Sequence, residues 1–269
     1  VLEQGIGNVA IGFQSMLANV LSDYNTAVGH STLGAVNSDG DGFNSAVGYN
    51  AGSSITSGLY NTILGANAGD GFDAESNNTF IGYAVGGNPA LDGAEQCVGV
   101  GSSALGGAIT QNGTIAVGYN SLASLTTGDG NVAVGHSSLD ANLVGSYNTA
   151  VGHESLTTFV ADATNHGENT AVGYQSGYYI STGTGNTYIG KKAGFGNSGT
   201  NLAGDNNTAV GTDAGKNLRG AAHSNTIVGA TAGDAMEAGT QNTILGFGSE
   251  IIGGDGDDQT IIGYNLTGN

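Results

Sequence analysis

Asn148-Thr149-Ala150-Val151-Gly152 is the stretch that decides the fold, because it recurs as Asn25-Thr26-Ala27-Val28-Gly29, Asn169-Thr170-Ala171-Val172-Gly173 and Asn207-Thr208-Ala209-Val210-Gly211. Working outward from it, the closing glycine anchors fifteen units: Gly12, Gly29, Gly48, Gly65, Gly82, Gly101, Gly118, Gly135, Gly152, Gly173, Gly190, Gly211, Gly229, Gly246 and Gly263. Nine of the fourteen intervals are 17 residues and the rest are 18, 19 or 21, so variation only adds to a fixed minimum. A closed ring has such a minimum, and extra residues bulge outward as loops. The period therefore predicts an all-β parallel β-solenoid of about 15 rungs, one repeat domain over residues 1–269. A 17-residue turn is too short for a helix pair and is expected to hold two strands of about five residues.

Each position of the unit has its own requirement. The residue before the anchor is always aliphatic, as in Val117, Val134, Val151 and Val172. Two residues earlier stands Thr in ten units and Val, Ile or Ser in the rest; between them stands Ala in eight, otherwise mostly Ile, Phe or Tyr, with Gly99 the exception. Alternation puts these positions on opposite faces of a strand. Both faces are then largely apolar, and a ring this thin covers only one. The second cover is expected to be an identical rod, with the aliphatic column buried inside the ring or between chains. Asn opens twelve of the strands, with Cys97, Thr114 and Gln259 as exceptions, and is read as a ladder of stacked amides. The anchor glycine is read as a conformation or close approach closed to other residues. Three positions after it a small residue recurs, as in Ala51, Ala68, Ser121 and Ser155, followed by Gly or Leu.

These pentamers, with continuations such as Gly118-Tyr119-Asn120-Ser121-Leu122 and Gly173-Tyr174-Gln175-Ser176-Gly177, resemble the head repeats of trimeric autotransporter adhesins, the YadA-like family. They are at least as similar to repeats of phage and virus tail fibres. The resemblance runs from Asn8 to about Leu266 and implies a left-handed parallel β-roll assembled as a homotrimer, with ligand contacts on the outer surface or loops. The sequence departs from the adhesin pattern in its 17-residue spacing, which is longer. Neither a coiled-coil stalk nor a membrane anchor is visible, and these departures favour the fibre branch or an extracellular filament. The expected role is a non-catalytic shaft or receptor-binding region of an extracellular fibre on a virion or cell surface, its partners a cell-surface receptor or glycan. The rivals are a self-polymerising extracellular filament and an ice-binding solenoid, the last motivated by the Thr column.

Composition narrows the chemistry. Twenty-two acidic residues against four basic ones give a formal net charge of −18, which repels phosphate backbones and argues against nucleic acid. One cysteine forms no internal disulfide, and no apolar run is long enough to span a membrane. The chain opens without methionine and enters the repeat by Asn8, so a segment of a longer product is expected. Aspartates cluster with glycine at Asp39 and Asp41, at Asp70 and Asp73, and at Asp255, Asp257 and Asp258. Such turns could offer oxygens to calcium, although no full calcium motif is present and solvated acidic turns are the plainer reading. Lys191, Lys192, Lys216 and Arg219 fall on two consecutive units as a potential anionic-ligand patch, or as partners for neighbouring carboxylates. His30, His136 and His153 share the position after the anchor with tyrosines and phenylalanines; His136 and His153, one strand spacing apart, could hold a metal, but shared packing is the plainer role. No nucleophile, base and orienting acid recur together, so no enzyme is expected. Loops are expected to project at 39–43, 88–95, 159–168 and 198–205.

Overall fold

The computed structural model describes residues 5–87, 93–107, 112–161, 167–200, 202–251 and 256–268. It is an all-β parallel β-solenoid of about 14 turns with a repeat of about 17 residues and no helix among the described residues. The chain divides into two compact units, Val1–Gly130 and Asn131–Asn269. Each is a stack of the same repeat.

Within the first unit, three-residue strands pair in parallel in chain order, from Val9–Ile11 on Thr26–Val28 up to Val98–Val100 on Ile115–Val117. The second unit does the same from Val132–Val134 on Thr149–Val151 up to Thr243–Leu245 on Thr260–Ile262. The register is like on like: Thr149 faces Thr170, Ala150 faces Ala171 and Val151 faces Val172. This confirms the alignment on the glycines, insertions included.

The expectation of two five-residue strands per turn is corrected. Each rung has one three-residue strand, and extended pairing elsewhere is confined to Ser22–Asp23 on Gly40–Asp41 and Glu250–Ile251 on Thr267–Gly268 among the described residues. Left-handed residues prevent a second strand. Serial positive φ values, such as 55° at Glu154 and 50° at Leu156, bend the chain every second residue. Rung-to-rung hydrogen bonds persist through these bends, as from Glu154 N to His136 O at 2.9 Å and Leu156 N to Ser176 O at 3.1 Å.

The anchor glycine meets both expected requirements. At Gly152 φ is 140°, and a Cβ would lie 2.3 Å from the carbonyl oxygen of Gly173 on the next rung. The small residues Ala51, Ala68, Ser121 and Ser155 are buried. Ser155 Oγ donates to the Gly152 carbonyl at 3.2 Å, closing the bend.

The core is a thin column filled from three positions of each rung, whose sizes vary from rung to rung. In several rungs with a small strand centre the fourth residue after the anchor is Leu, as in Ala116 with Leu122, Ala133 with Leu139, Ala150 with Leu156 and Gly99 with Leu105, all buried, whereas Ala46, Ala171 and Ala209 stand with Gly52, Gly177 and Gly215. Beside the large centres Phe80, Tyr188 and Ile227 that residue is Gly86, Gly194 and Gly233. At Gly194 a Cβ would sit 2.2 Å from Cδ1 of Tyr188, so glycine is forced there. A third column, seven residues after the anchor, adds Ile55, Leu125, Phe159, Ile180 and Leu218, also buried.

That column corrects the loop limits. Phe159 and Ala161 belong to the core, not to a projecting loop, and residues 162–166 lie outside the described residues. In the 198–205 segment Ser198, Gly199 and Thr200 are exposed, but Leu202 returns to the core, bridging Ile180 and Gly220. Asp39, Asp41 and Phe43 are exposed as expected, while most of the 88–95 loop, residues 88–92, lies outside the described residues.

Candidate functional site

Asn148 shows how the corner is held. Its backbone N–H donates to Oδ1 of Asn131 at 3.0 Å, its Nδ2 donates to the same oxygen at 3.0 Å, and its own Oδ1 accepts from Asn169 N at 3.1 Å and Asn169 Nδ2 at 3.2 Å. The pattern repeats from Asn169 to Asn186 to Asn207 to Asn225 to Asn242. The first unit carries it through Asn25, Asn44 and Asn61. The amide ladder read from the sequence is present, and these side chains are buried and engaged.

With Asn and the strand-centre residue inside, the Thr and aliphatic columns point outward. This removes one of the two places expected for the aliphatic column. Val117, Val134 and Val151 are half-buried and Val172 is exposed, so none of the four lies inside the ring. Val47, Leu64, Ile189 and Leu245 are 41%, 48%, 41% and 45% exposed. Beside this ridge runs the column after the anchor, with its rings in ladders: Phe13, His30 and Tyr49 at 5.3 Å steps, His136 and His153 at 4.8 Å, and Phe247 and Tyr264 at 5.5 Å. A second ladder escaped the sequence reading. Tyr24, Phe43 and Tyr60, each immediately before a corner Asn, stack at 5.2 and 5.5 Å. An aromatic residue preceding Asn in three successive units was the available signal.

Of the candidate aspartates, Asp257 serves the backbone, as do Asp205 and Asp23 outside that set. Asp257 accepts from Thr240 N at 2.7 Å and Thr240 Oγ1 at 2.8 Å, bonds that hold its carboxyl below the usual range. Asp205 does the same for Thr184, and Asp23 accepts from Ile6 N. Each stands two residues before a corner position and caps a turn of the preceding rung. Asp73 accepts from Thr56 Oγ1. Asp70 is half-buried, and burial raises its pKa. Asp39, Asp41 and Asp258 are exposed, and Asp255 lies outside the described residues. Among the described residues, the metal-ligating side chains that converge closely are instead His136, His153 and Glu154.

The basic residues are engaged locally. Lys216 lies 3.6 Å from Asp213, Arg219 pairs with Glu237, and the Lys192 ammonium sits 4.9 Å from the Phe195 ring centroid; Lys191 is exposed. Tyr178, Tyr179 and Phe195 pack together beside them, with centroid separations of 4.6 to 5.5 Å. Burial raises the Cys97 thiol, which favours the inert form. Among the described residues no helix is long and apolar enough to cross a membrane. No family model, curated protein or solved structure matches this chain.

Proposed function

We propose that the chain is a non-catalytic segment of an extracellular attachment fibre, on a viral tail or a bacterial surface. In this reading three copies pack through the outward Thr and aliphatic columns and meet a cell-surface receptor or glycan through their loops and outer turns. The observation that carries the reading is the ridge itself. Aliphatic side chains repeat on the outside of rung after rung, flanked by aromatic ladders, and contiguous apolar surface of this extent marks an interaction face. A self-complementary face repeated at every rung is satisfied most economically by identical copies. The resemblance to trimeric adhesin heads and tail-fibre repeats supports three.

Sedimentation of the purified chain tests this. The expected mass is three times the 26.4 kDa chain, and Val134→Asp should yield monomers with an unchanged circular dichroism spectrum. Val134 lies outside the ring, so the carboxylate harms the assembly, where three would be desolvated together at several kcal/mol each, rather than the fold. A stable wild-type monomer would refute the intermolecular part. End-to-end polymers in electron micrographs would favour a filament subunit.

A second reading has one specific observation in its favour. The Thr column faces outward in parallel register, with Thr62, Thr226 and Thr260 exposed, as a flat ice-binding face requires. Thermal hysteresis in a monomeric preparation would establish it, and its absence would leave the fibre reading.

A further inference from the structure

Two imidazoles stand on consecutive rungs of the second unit, and the solenoid itself sets their separation. His136 follows the anchor Gly135 and His153 follows Gly152; both are exposed, their centroids are 4.8 Å apart and their planes differ by 7°. Glu154 N donates to His136 O at 2.9 Å, tying the upper residues to the lower rung. The Glu154 carboxylate lies 3.7 Å from His153 Nδ1, and Gln175 Nε2 on the rung beyond donates to Glu154 Oε2 at 2.7 Å. One ligand atom from each of His136, His153 and Glu154 lies within 4.8 Å of the others.

Packing alone does not require this set. The column is otherwise aromatic beside the pair, with Tyr119 before it and Tyr174 after it, and either ring type fills the ladder. Two successive histidines occur at no other place in the column, and the adjacent carboxylate is oriented by an outer hydrogen bond, as metal-binding carboxylates are. Two imidazole nitrogens and one carboxylate oxygen suit zinc and its neighbours in the first transition series rather than calcium or magnesium. Metal–nitrogen bonds of about 2.0–2.1 Å require the two ring nitrogens to close to roughly 3.4 Å, which side-chain torsions of exposed rings provide without moving the rungs. We propose that His136, His153 and Glu154 form a surface site for one divalent transition ion per chain, with water in the remaining position. The Asp140 carboxylate, close enough to His136 to interact with it, adds negative potential there.

The test is calorimetric titration of the full chain with zinc chloride in millimolar calcium, which occupies oxygen-only sites. One zinc per chain is expected. His153→Tyr and His136→Tyr keep a ring in the ladder, as Tyr174 does naturally, and should weaken binding by about 100-fold or more; Gln175→Leu should weaken it by about tenfold, within the range for outer-sphere partners. Electron paramagnetic resonance of the copper(II) form of the wild-type chain should show coupling to two imidazole nitrogens, a readout independent of any variant's folding. Absence of saturable zinc binding, zinc affinity unchanged in His153→Tyr, or a copper spectrum without nitrogen coupling would each overturn the proposal.

Discussion

Truncating Asn148 to alanine probes the device that holds successive rungs in register. The change removes the bonds from Nδ2 to Asn131 Oδ1 at 3.0 Å and to the Ser146 carbonyl at 3.2 Å. It also removes the acceptor for Asn169 N and Asn169 Nδ2. Asn169 is fully buried, so its backbone N–H loses its partner where no water replaces it. An orphaned buried donor costs about 1–3 kcal/mol, and the other lost bonds add about 0.5–1.5 kcal/mol each. The sum is about 2.5–7.5 kcal/mol, large against the stability of an ordinary domain. Stacked repeats lose stability locally, so the measurement must be local as well. Hydrogen exchange at the Asn169 amide should accelerate by about two orders of magnitude or more, with smaller effects several rungs away. Asn148→Asp separates the two halves of the argument: it keeps the acceptor for Asn169 but sets a carboxylate against Asn131 Oδ1, so it should be destabilising at neutral pH and partly recover in acid. If Asn169 in the alanine variant exchanges as slowly as in the parent, the ladder contributes nothing to holding the rungs together.

Three further outcomes follow from the same geometry. Gly152→Ala should cost more than about 3 kcal/mol in denaturant titrations, because a Cβ would meet backbone 2.3 Å away at a φ of 140°, whereas Gly199→Ala, exposed with only a 3.4 Å neighbour, should stay within about 0.5 kcal/mol. Cys97→Asn should raise stability by about 1 kcal/mol, since a weak sulfur acceptor interrupts the amide column above Asn78, whose Oδ1 already accepts from residue 97 at 2.9 Å; a lower melting temperature would contradict this. Burial and the Asp234 side chain push Glu250 up to about 7, from an ordinary value near 4.5. A raised carboxyl pKa favours the protonated fold, so this contribution is fully present below pH 4.5 and lost as pH rises through about 7. Melting temperatures should therefore fall over that window in the parent and less so in Glu250→Gln; identical slopes would exclude the residue as the cause.

What the sequence made legible is what every rung must satisfy alone. The glycine, the corner amide and the inward small residue answer backbone collisions and unsatisfied polar groups that recur each turn, so their columns are nearly invariant and the register follows. The bends were not legible, because left-handed conformation is carried by whatever residue is there: Leu156, Glu154, Tyr147 and Asn206 all adopt it, and no residue type announces it. Core limits were missed for a related reason. The 159–168 stretch reads as a loop from its long interval alone, and Phe159 sits in a buried column that holds Ile55, Leu125, Leu218 and also Asn142, so residue type there does not mark the core.

The outward face obeys a different rule, and that difference is an argument for function. A solenoid folds whether its outer strand positions are polar or apolar, since the amide ladder, the backbone bonds and the inner column are already satisfied. Yet the residue before the anchor is aliphatic in all fifteen units, as constant as the inner column although the ring does not need it. Random drift would scatter polar residues along such a position, most of all in a chain whose inserted loops are acidic and variable. In the proposed fibre that constraint would come from what covers the face. Another copy of this chain, as proposed, would meet successive rungs with the same chemistry, which an irregular partner would not. A Val134→Asp chain that still sediments as the parent does would break this last step while leaving the solenoid untouched.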